Sequence, residues 1–292
     1  MTNSTTRKEA RDLSSTRAIA TSARPSAQRQ AERAARVKTA RGLMWQVLAV
    51  ACALAIWEIL VRSGALPSTA FSSLGDILAA GVKLFANGTA LPAIGMTLAG
   101  WAIGLSLAAL LAIPTGILVG RSRIAQQATI GVAEFLRPVP SIALLPVAVL
   151  LLGIEMETKV FLVVFSAFWP IWFQCMYGVR GLDPVVLDTG RSYQIPKLAF
   201  FFRVVIPYST PYIATGMRIA SAVALVLAVV AELIVGMDGI GAEAALAKTA
   251  GNMPAMYALI IMTGIIGWLL NIAFMTVERR LTSWHVSNRR QG

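Results

Sequence analysis

Histidine and cysteine are nearly missing from this chain of 292 residues, with one of the first and two of the second. The lone imidazole, His285 near the C-terminus, leaves little room for general-base catalysis and reads as a surface residue at headgroup level. Cys52 and Cys175 sit inside apolar runs and make neither a disulfide framework nor a metal-ligand spacing. Charge is scarce too: 14% of residues are charged, against about a quarter in soluble domains, while 57% are hydrophobic. That balance excludes an ordinary soluble domain and marks a membrane protein. Acids are the scarcer sign, 14 against 26 basic residues, giving a formal net charge of +12. The excess does not point to nucleic acid, because the basic residues gather in the tails and in every second loop and form no stripe interleaved with aromatics. No G-x-x-x-x-G-K-[ST] occurs, so nothing here cradles ATP in the P-loop manner. A hydrolase elbow and a zinc-binding H-E-x-x-H are lacking as well. No catalytic, cofactor-binding or metal-binding residue is expected.

What is there is a series of apolar runs. Six are near or above the ~20 residues that cross a bilayer, at 43–61, 94–119, 132–152, 160–179, 208–235 and 256–277. Ahead of them residues 1–41 carry Arg7, Lys8, Arg11, Arg17, Arg24, Arg29, Arg33, Arg36, Lys38 and Arg41 against Glu9, Asp12 and Glu32. Such a segment buries too little apolar surface to fold by itself. A secretory signal is not expected, since the polar lead is long and a full-length span follows it. Basic loop residues fall in that tail, at Arg121 and Arg123, at Arg180, Arg191, Lys197 and Arg203, and at Arg279, Arg280, Arg289 and Arg290. The alternate segments count Arg62, Lys83 and Lys248 and carry Asp76, Glu155, Glu157, Asp238 and Glu243. The positive-inside rule then places both termini and the 183–207 loop in the cytoplasm. Trp57 and Trp284 fall at span ends, where interfacial anchors belong, and Glu58 and Arg62 form an i,i+4 pair at the end of the first span.

The 183–207 loop has the wrong composition for its surroundings. Between two apolar runs it carries Asp183, Asp188, Arg191, Lys197 and Arg203. Its apolar spacing is helical in two pieces, 184–193 and 197–205. Pro184 suits a first helical turn with Asp183 as N-cap. Gln194-Ile195-Pro196 interrupts the pattern, because the residue before a proline is pushed out of helical geometry. The spacing allows either a structured connection or a docking element that offers a helix to a soluble partner.

At this point the chain resembles a known family. Asp183-Pro184, Asp188, Arg191-Ser192, Arg203-Val204-Val205 and Pro207 follow the order and spacing of the EAA loop of bacterial ABC importer permeases. Arg137-Pro138-Val139-Pro140, Leu145-Pro146, Gly216-Met217-Arg218-Ile219-Ala220, Ala231-Glu232, Gly239-Ile240-Gly241 and Glu278-Arg279-Arg280-Leu281 flank it in register, as in the branch serving nitrate, sulfonate and taurine. The resemblance runs from about Trp57 to Trp284. It implies an all-α inner-membrane protein of the type I, MetI-like kind: a basic tail over 1–41, a transmembrane domain over 42–292, a core over about 90–280 and a coupling loop over 183–207. It implies as partners a second permease subunit, identical or different, two cytoplasmic ATPases that bind the ATP, and an external binding protein that delivers substrate. Asp183, Asp188, Arg191, Gln194, Pro196, Arg203 and Pro207 would then meet the ATPase. Two positions depart from the family pattern: Asp188-Thr189 stands for Glu-Ala, and Gln194 for the turn glycine. If that turn needs positive φ, a non-glycine residue costs about 1–2 kcal/mol unless Pro196 reshapes it.

Four residues are candidates for the translocation path. Pro138, Pro140 and Pro146 break the start of the third span, and broken helices persist at membrane depth only where protein or a water-filled cavity meets the freed backbone groups. A plain kink is the alternative. Glu232 is an acid within a span, which costs about 2.5–3.5 kcal/mol at the bilayer centre and argues for a cavity or a partner. Arg218, 14 residues back or roughly 21 Å along one helix, is too far to pair with it and reads as a snorkelling residue. The resemblance puts Glu232 at a path or outer gate; an interfacial acid reaching solvent is the plainer reading. Gln174 and Asn271 suit hydrogen bonds between helices. Gly100-x-x-x-Gly104 and Gly116-x-x-x-Gly120 let backbones approach closely, either inside one subunit or between two. An ion-driven carrier using Glu232, or a membrane anchor for a soluble partner, are the rival functions; no inverted repeat supports the first.

Overall fold

The computed structural model describes residues 42, 44–67 and 69–282. The basic tail over 1–41, and Trp284, His285, Arg289 and Arg290, lie outside the described residues. Two compact units divide the chain, Met1–Pro67 and Ser68–Gly292. In the first, α1 (Met44–Arg62) is an apolar helix long enough to cross a membrane. Glu58 and Arg62 pair across one of its turns at 2.5 Å.

The second unit holds the rest: α2 (Leu74–Ala86), α3 (Ala90–Arg121), α4 (Arg123–Leu136), α5 (Leu145–Leu152), α6 (Met156–Arg180), α7 (Pro184–Ser192), α8 (Lys197–Phe200), α9 (Ile206–Val235), α10 (Ile240–Thr249) and α11 (Met253–Leu281). Five described helices are long and apolar enough to span, and the bent pair Arg123–Leu136 + Ser141–Leu152 makes six. No strand occurs among the described residues.

The core is α6, clasped by α3 on one side and α9 on the other. Leu162, Val163, Ala167, Ile171, Cys175 and Met176 of α6 are wholly buried. The small residues of α3 set the first contact. A Cβ on Gly104 would stand 2.4 Å from Val163 Cγ1, and one on Gly116 would stand 2.7 Å from the Trp172 carbonyl oxygen. Gly100 and Gly120 face Lys159 and Met176 in the same way. The two small-residue motifs therefore pack helices within one subunit. On the other side, Tyr212 of α9 lies on Gly178, and Gly216 of α9 lies on Ile171 and Gln174.

Two expectations need correction. The third span is not a helix over 132–152 with a broken start. Helix α4 begins nine residues sooner, Ser122 capping it through a 3.2 Å bond from Ala125 N, and the break falls in the middle. Pro138 and Pro140 stop α4, a 3-10 turn at Ser141–Leu144 follows, and the two halves meet at 81°. Pro146 breaks nothing: it stands in the first turn of α5, where its missing N–H costs no bond. Nor is 197–205 a separate helix. Helix α8 passes through a π segment, Phe201–Val205, straight into α9. Pro207 has no N–H to close an α-turn on Arg203, and widened turns are a usual response to such a defect.

The span pattern gives no sign of helices α2 and α10, which lie in the loops. Ser73 caps α2 reciprocally: Asp76 N donates to Ser73 Oγ at 3.2 Å, and that hydroxyl donates to Asp76 Oδ2 at 2.6 Å. Helix α10 starts at Gly239, whose φ of 153° only glycine adopts without strain.

Candidate functional site

The loop between α6 and α9 is built as a rigid projection. Val185 N donates to Asp183 Oδ1 at 2.8 Å, with Pro184 in the first turn, so the start of α7 is fixed as its sequence dictates. Its end is a Schellman motif. Ile195 N donates to Gly190 O at 3.0 Å and Gln194 N donates to Arg191 O at 2.9 Å. Such an end needs a left-handed residue, and Gln194 supplies it at φ +52°, the only non-glycine residue with positive φ among those described. Pro196 follows with φ −54° as the N-cap of α8 and does not remove the need. Phe200 folds back onto Gly190, where a Cβ would come within 2.5 Å of the ring. Asp188 and Arg191, both well exposed, pair at 3.1 Å along the helix. Asp183, Asp188, Arg191, Gln194 and Pro196 thus share one small structure. Arg203 is exposed in the π segment and Pro207 lies in the first turn of α9, so neither belongs to the projection itself.

Gln194 carries a testable cost. Left-handed backbone costs an L-residue about 1–2 kcal/mol, part of which glycine returns through its looser unfolded chain. Gln194→Gly should therefore stabilise the loop by about 1 kcal/mol, seen as slower amide exchange over residues 184–196.

At the other end of α9 the acid singled out by sequence has a different post. Glu232 is 0% exposed. Lys159 of α6, 1% exposed, brings its Nζ 2.7 Å from Glu232 Oε1 and donates to the Asp238 carbonyl at 2.7 Å. Thr97 of α3 donates to Glu232 Oε2 at 2.9 Å, and Gly241 N donates to the same oxygen at 3.0 Å. Ile240 N donates to Thr97 Oγ1 at 2.9 Å. One carboxylate therefore ties together α3, α6, α9 and the start of α10. The glycines of Gly239-Ile240-Gly241 are spacers for it: a Cβ on Gly239 would lie 2.2 Å from Glu232 Cδ, and one on Gly241 would lie 2.2 Å from Val229 O. Glu232 lines no described cavity and reaches no solvent, so its geometry is that of a structural clamp.

Lys159 escapes a reading by sequence because its partner is an acid 73 positions away. The usable signal is a lysine inside an apolar stretch, which demands a partner as surely as the acid does. Arg218 is likewise paired, its Nε 3.1 Å from Glu278 Oε2, while Thr215 donates to Glu278 Oε1 at 2.8 Å. Among the described residues the Asn271 side chain bonds within its own helix, to Met275 Sδ at 3.6 Å. Gln174 makes no hydrogen bond to the described residues and lines a cavity of about 290 Å³ beside the 81° bend. Pro138 and Pro140, at that bend, are exposed, as is Pro146 beyond it. Among the described residues no three His, Cys, Asp or Glu side chains stand close enough to hold a metal.

Comparison with known proteins agrees with this architecture. Residues 112–284 match the family model described as binding-protein-dependent transport system inner membrane component. A probable ABC transporter permease protein of Brucella melitensis is 30% identical over 245 residues, 83% of this chain and 98% of the relative. The taurine transport system permease protein TauC of Escherichia coli is 31% identical over 209 residues, 70% of this chain and 75% of that protein. The nitrate import permease protein NrtB of a Synechocystis strain is 28% identical over 246 residues, 78% of this chain and 86% of that protein. The fold resembles a chain of the methionine ABC transporter MetNI in an inward-facing crystal form, with a TM-score of 0.58, 16% identity, and 65% and 94% of the two chains covered. By its match to the family model and by its identity to a relative over most of both lengths, this chain belongs to the family of binding-protein-dependent transport system inner membrane components.

Proposed function

We propose that this permease subunit forms, with a second permease, the inner-membrane path for a small molecule of the nitrate, sulfonate or taurine class. An external binding protein hands the substrate over, and two separate ATPases bind and hydrolyse the ATP. Both termini and the 183–207 loop face the cytoplasm. The observation that carries this reading is the projection itself. Helix α7 is capped at both ends, stands in a polar segment between two spans, and leaves apolar side chains exposed, Val185 at 68% and its C-cap Tyr193 at 77%. A connection that only joined spans would need neither rigid ends nor an apolar face. Asp183 and the Gln194–Pro196 turn hold the helix; Asp188 and Arg191 present charge to the partner; Arg203 and Pro207 pass its movement to α9. The second permease is a copy of this chain or a different one; Gln194, which departs from the family glycine, makes a different and more typical partner the case to test, supported by co-purification with a differently sized permease and overturned by a homogeneous two-fold dimer.

Loss of uptake when ATP is depleted with the ion gradient intact supports the importer. Loss only with an ionophore indicates a gradient-driven carrier, and partner binding without uptake indicates an anchor. The carrier is disfavoured by geometry, since Glu232, the acid it would use, is sealed by Lys159, Thr97 and Gly241. Asp188→Arg or Arg191→Glu should cut ATP-driven uptake at least about tenfold, the equivalent of one well-placed charge pair, while the span topology stays intact. Normal uptake and normal binding-protein-stimulated ATPase activity in both variants overturn the coupling role.

A further inference from the structure

A groove runs beside the bend in the broken span, between that bend, α6 and α9, with a volume of about 290 Å³. Helix α6 gives it one continuous stripe. Ser166, Trp169, Pro170, Phe173, Gln174 and Tyr177 are spaced by three and four residues, so all lie on one helix face. That stripe runs from Ser166, 10 residues into α6, to Tyr177, three residues before the helix ends at Arg180, and so from the middle of the helix towards its Arg180 end. Arg137 and Ser141 come from the bend; Ile219 and Val223 of α9 close the other wall.

Two polar groups of this groove, the Arg137 guanidinium and the Trp169 indole N–H, donate and cannot accept. Arg137 Cζ lies 4.9 Å from the centroid of the Phe173 ring, a cation–π contact that seats the guanidinium on the groove wall. No carboxylate pairs with Arg137 among the described residues, and none lines the groove. Trp169 Nε1 is buried with no hydrogen-bond partner among the described residues. An indole N–H donates and never accepts, so whatever completes it must bring an acceptor atom. The hydroxyls of Ser141 and Tyr177 and the amide of Gln174 add groups able to donate, whereas the Ser166 hydroxyl is engaged with Val163 O at 3.0 Å. Arg137 is itself exposed; a cation entering the groove would meet its unpaired guanidinium, and a neutral molecule would leave that charge without a counter-ion. An oxyanion answers both demands, because a guanidinium fork matches two oxygens of nitrate or sulfonate.

We propose that this groove is the station at which the transported oxyanion is held on its way through the subunit, with Arg137 as its charge partner and Trp169 Nε1 as an orienting donor. The proposal rests on the permease reading above and gives that reading a place and a charge sign.

The test uses the permease assembled with its ATPases in nanodiscs and labelled with 5-fluorotryptophan, the Trp169 resonance being identified by Trp169→Phe. Sodium nitrate and sodium methanesulfonate are titrated in, with dimethyl sulfone as the uncharged analogue of the latter. The Trp169 resonance should shift saturably with both anions and not with the sulfone. Arg137→Gln should weaken the anion response at least tenfold, and Arg137→Lys should weaken it less. No shift, an equal shift with dimethyl sulfone, or an unchanged response in Arg137→Gln overturns the proposal. ATP-driven uptake by the wild-type assembly is measured separately. Uptake without a Trp169 response removes the groove and leaves the permease reading standing; a response without ATP-driven uptake leaves an anion site in a protein whose function has been misread.

Discussion

Lys159→Met should unfold the subunit at markedly lower temperature, because it leaves Glu232 buried and uncompensated. Removing one partner of a buried ion pair typically costs about 3–5 kcal/mol, whereas replacing both with apolar residues of similar volume is often neutral. The double variant Lys159→Met with Glu232→Leu should therefore recover much of the loss. Thermal unfolding in detergent or nanodiscs gives the comparison directly. Full recovery is not expected: Gly241 N would lose its acceptor, as would the Thr97 hydroxyl, though Thr97 also has the Ala93 carbonyl at 3.1 Å. If Lys159→Met proves as stable as the parent, the clamp is not holding α3, α6 and α9 together.

Gly116→Leu should be comparably damaging by a different route. Its Cβ would stand 2.7 Å from the Trp172 carbonyl oxygen and 2.9 Å from Cys175 Cβ. The first of these is helix backbone and cannot swing aside, so α3 must lift away from α6. Overpacking costs about 1–3 kcal/mol where neighbours can adjust and more where they cannot. The lift would also loosen Ala108 and Ala112, both completely buried in the same seam. Gly95 provides the control within the same helix, since a Cβ added there would meet nothing within 4 Å. Gly95→Ala should be neutral or stabilising by up to about 1 kcal/mol, from helix propensity alone. Equal losses from Gly95→Ala and Gly116→Leu would mean that the seam is not the cause.

Much of the fold can be read in the sequence because its signals are local. A proline behind an aspartate opens α7, a run of apolar residues makes a span, and small residues four apart make a close helix seam. The bend is half legible: Pro138 and Pro140 announce a break, but periodicity does not say that a second helix, α4, already runs up to it. Helix α2 does carry a local start signal that the span pattern passes over, the N-cap Ser73 bonded to Asp76 three residues on. What sequence spacing does not supply is partnership across the fold. Glu232 lies too far from Arg218 on its own helix, and its partner stands on α6. Arg218 in turn finds Glu278 on α11. Gln194 is legible as a departure from glycine, yet only the backbone reveals that the departure keeps the left-handed turn and bears its cost.

From Lys197 to Val235 no residue leaves the helical state, a girder of about 58 Å at 1.5 Å per residue. Its first residues adjoin the tight turn after α7, and its last turn carries Glu232. A tug applied at one surface of the membrane must therefore either swing the whole girder against the clamp or be absorbed where its winding is slackest, at Phe201–Val205. Those alternatives differ in what arrives at the opposite surface: in the first the clamp would be loaded by the proposed ATPase, and in the second it would be insulated from it.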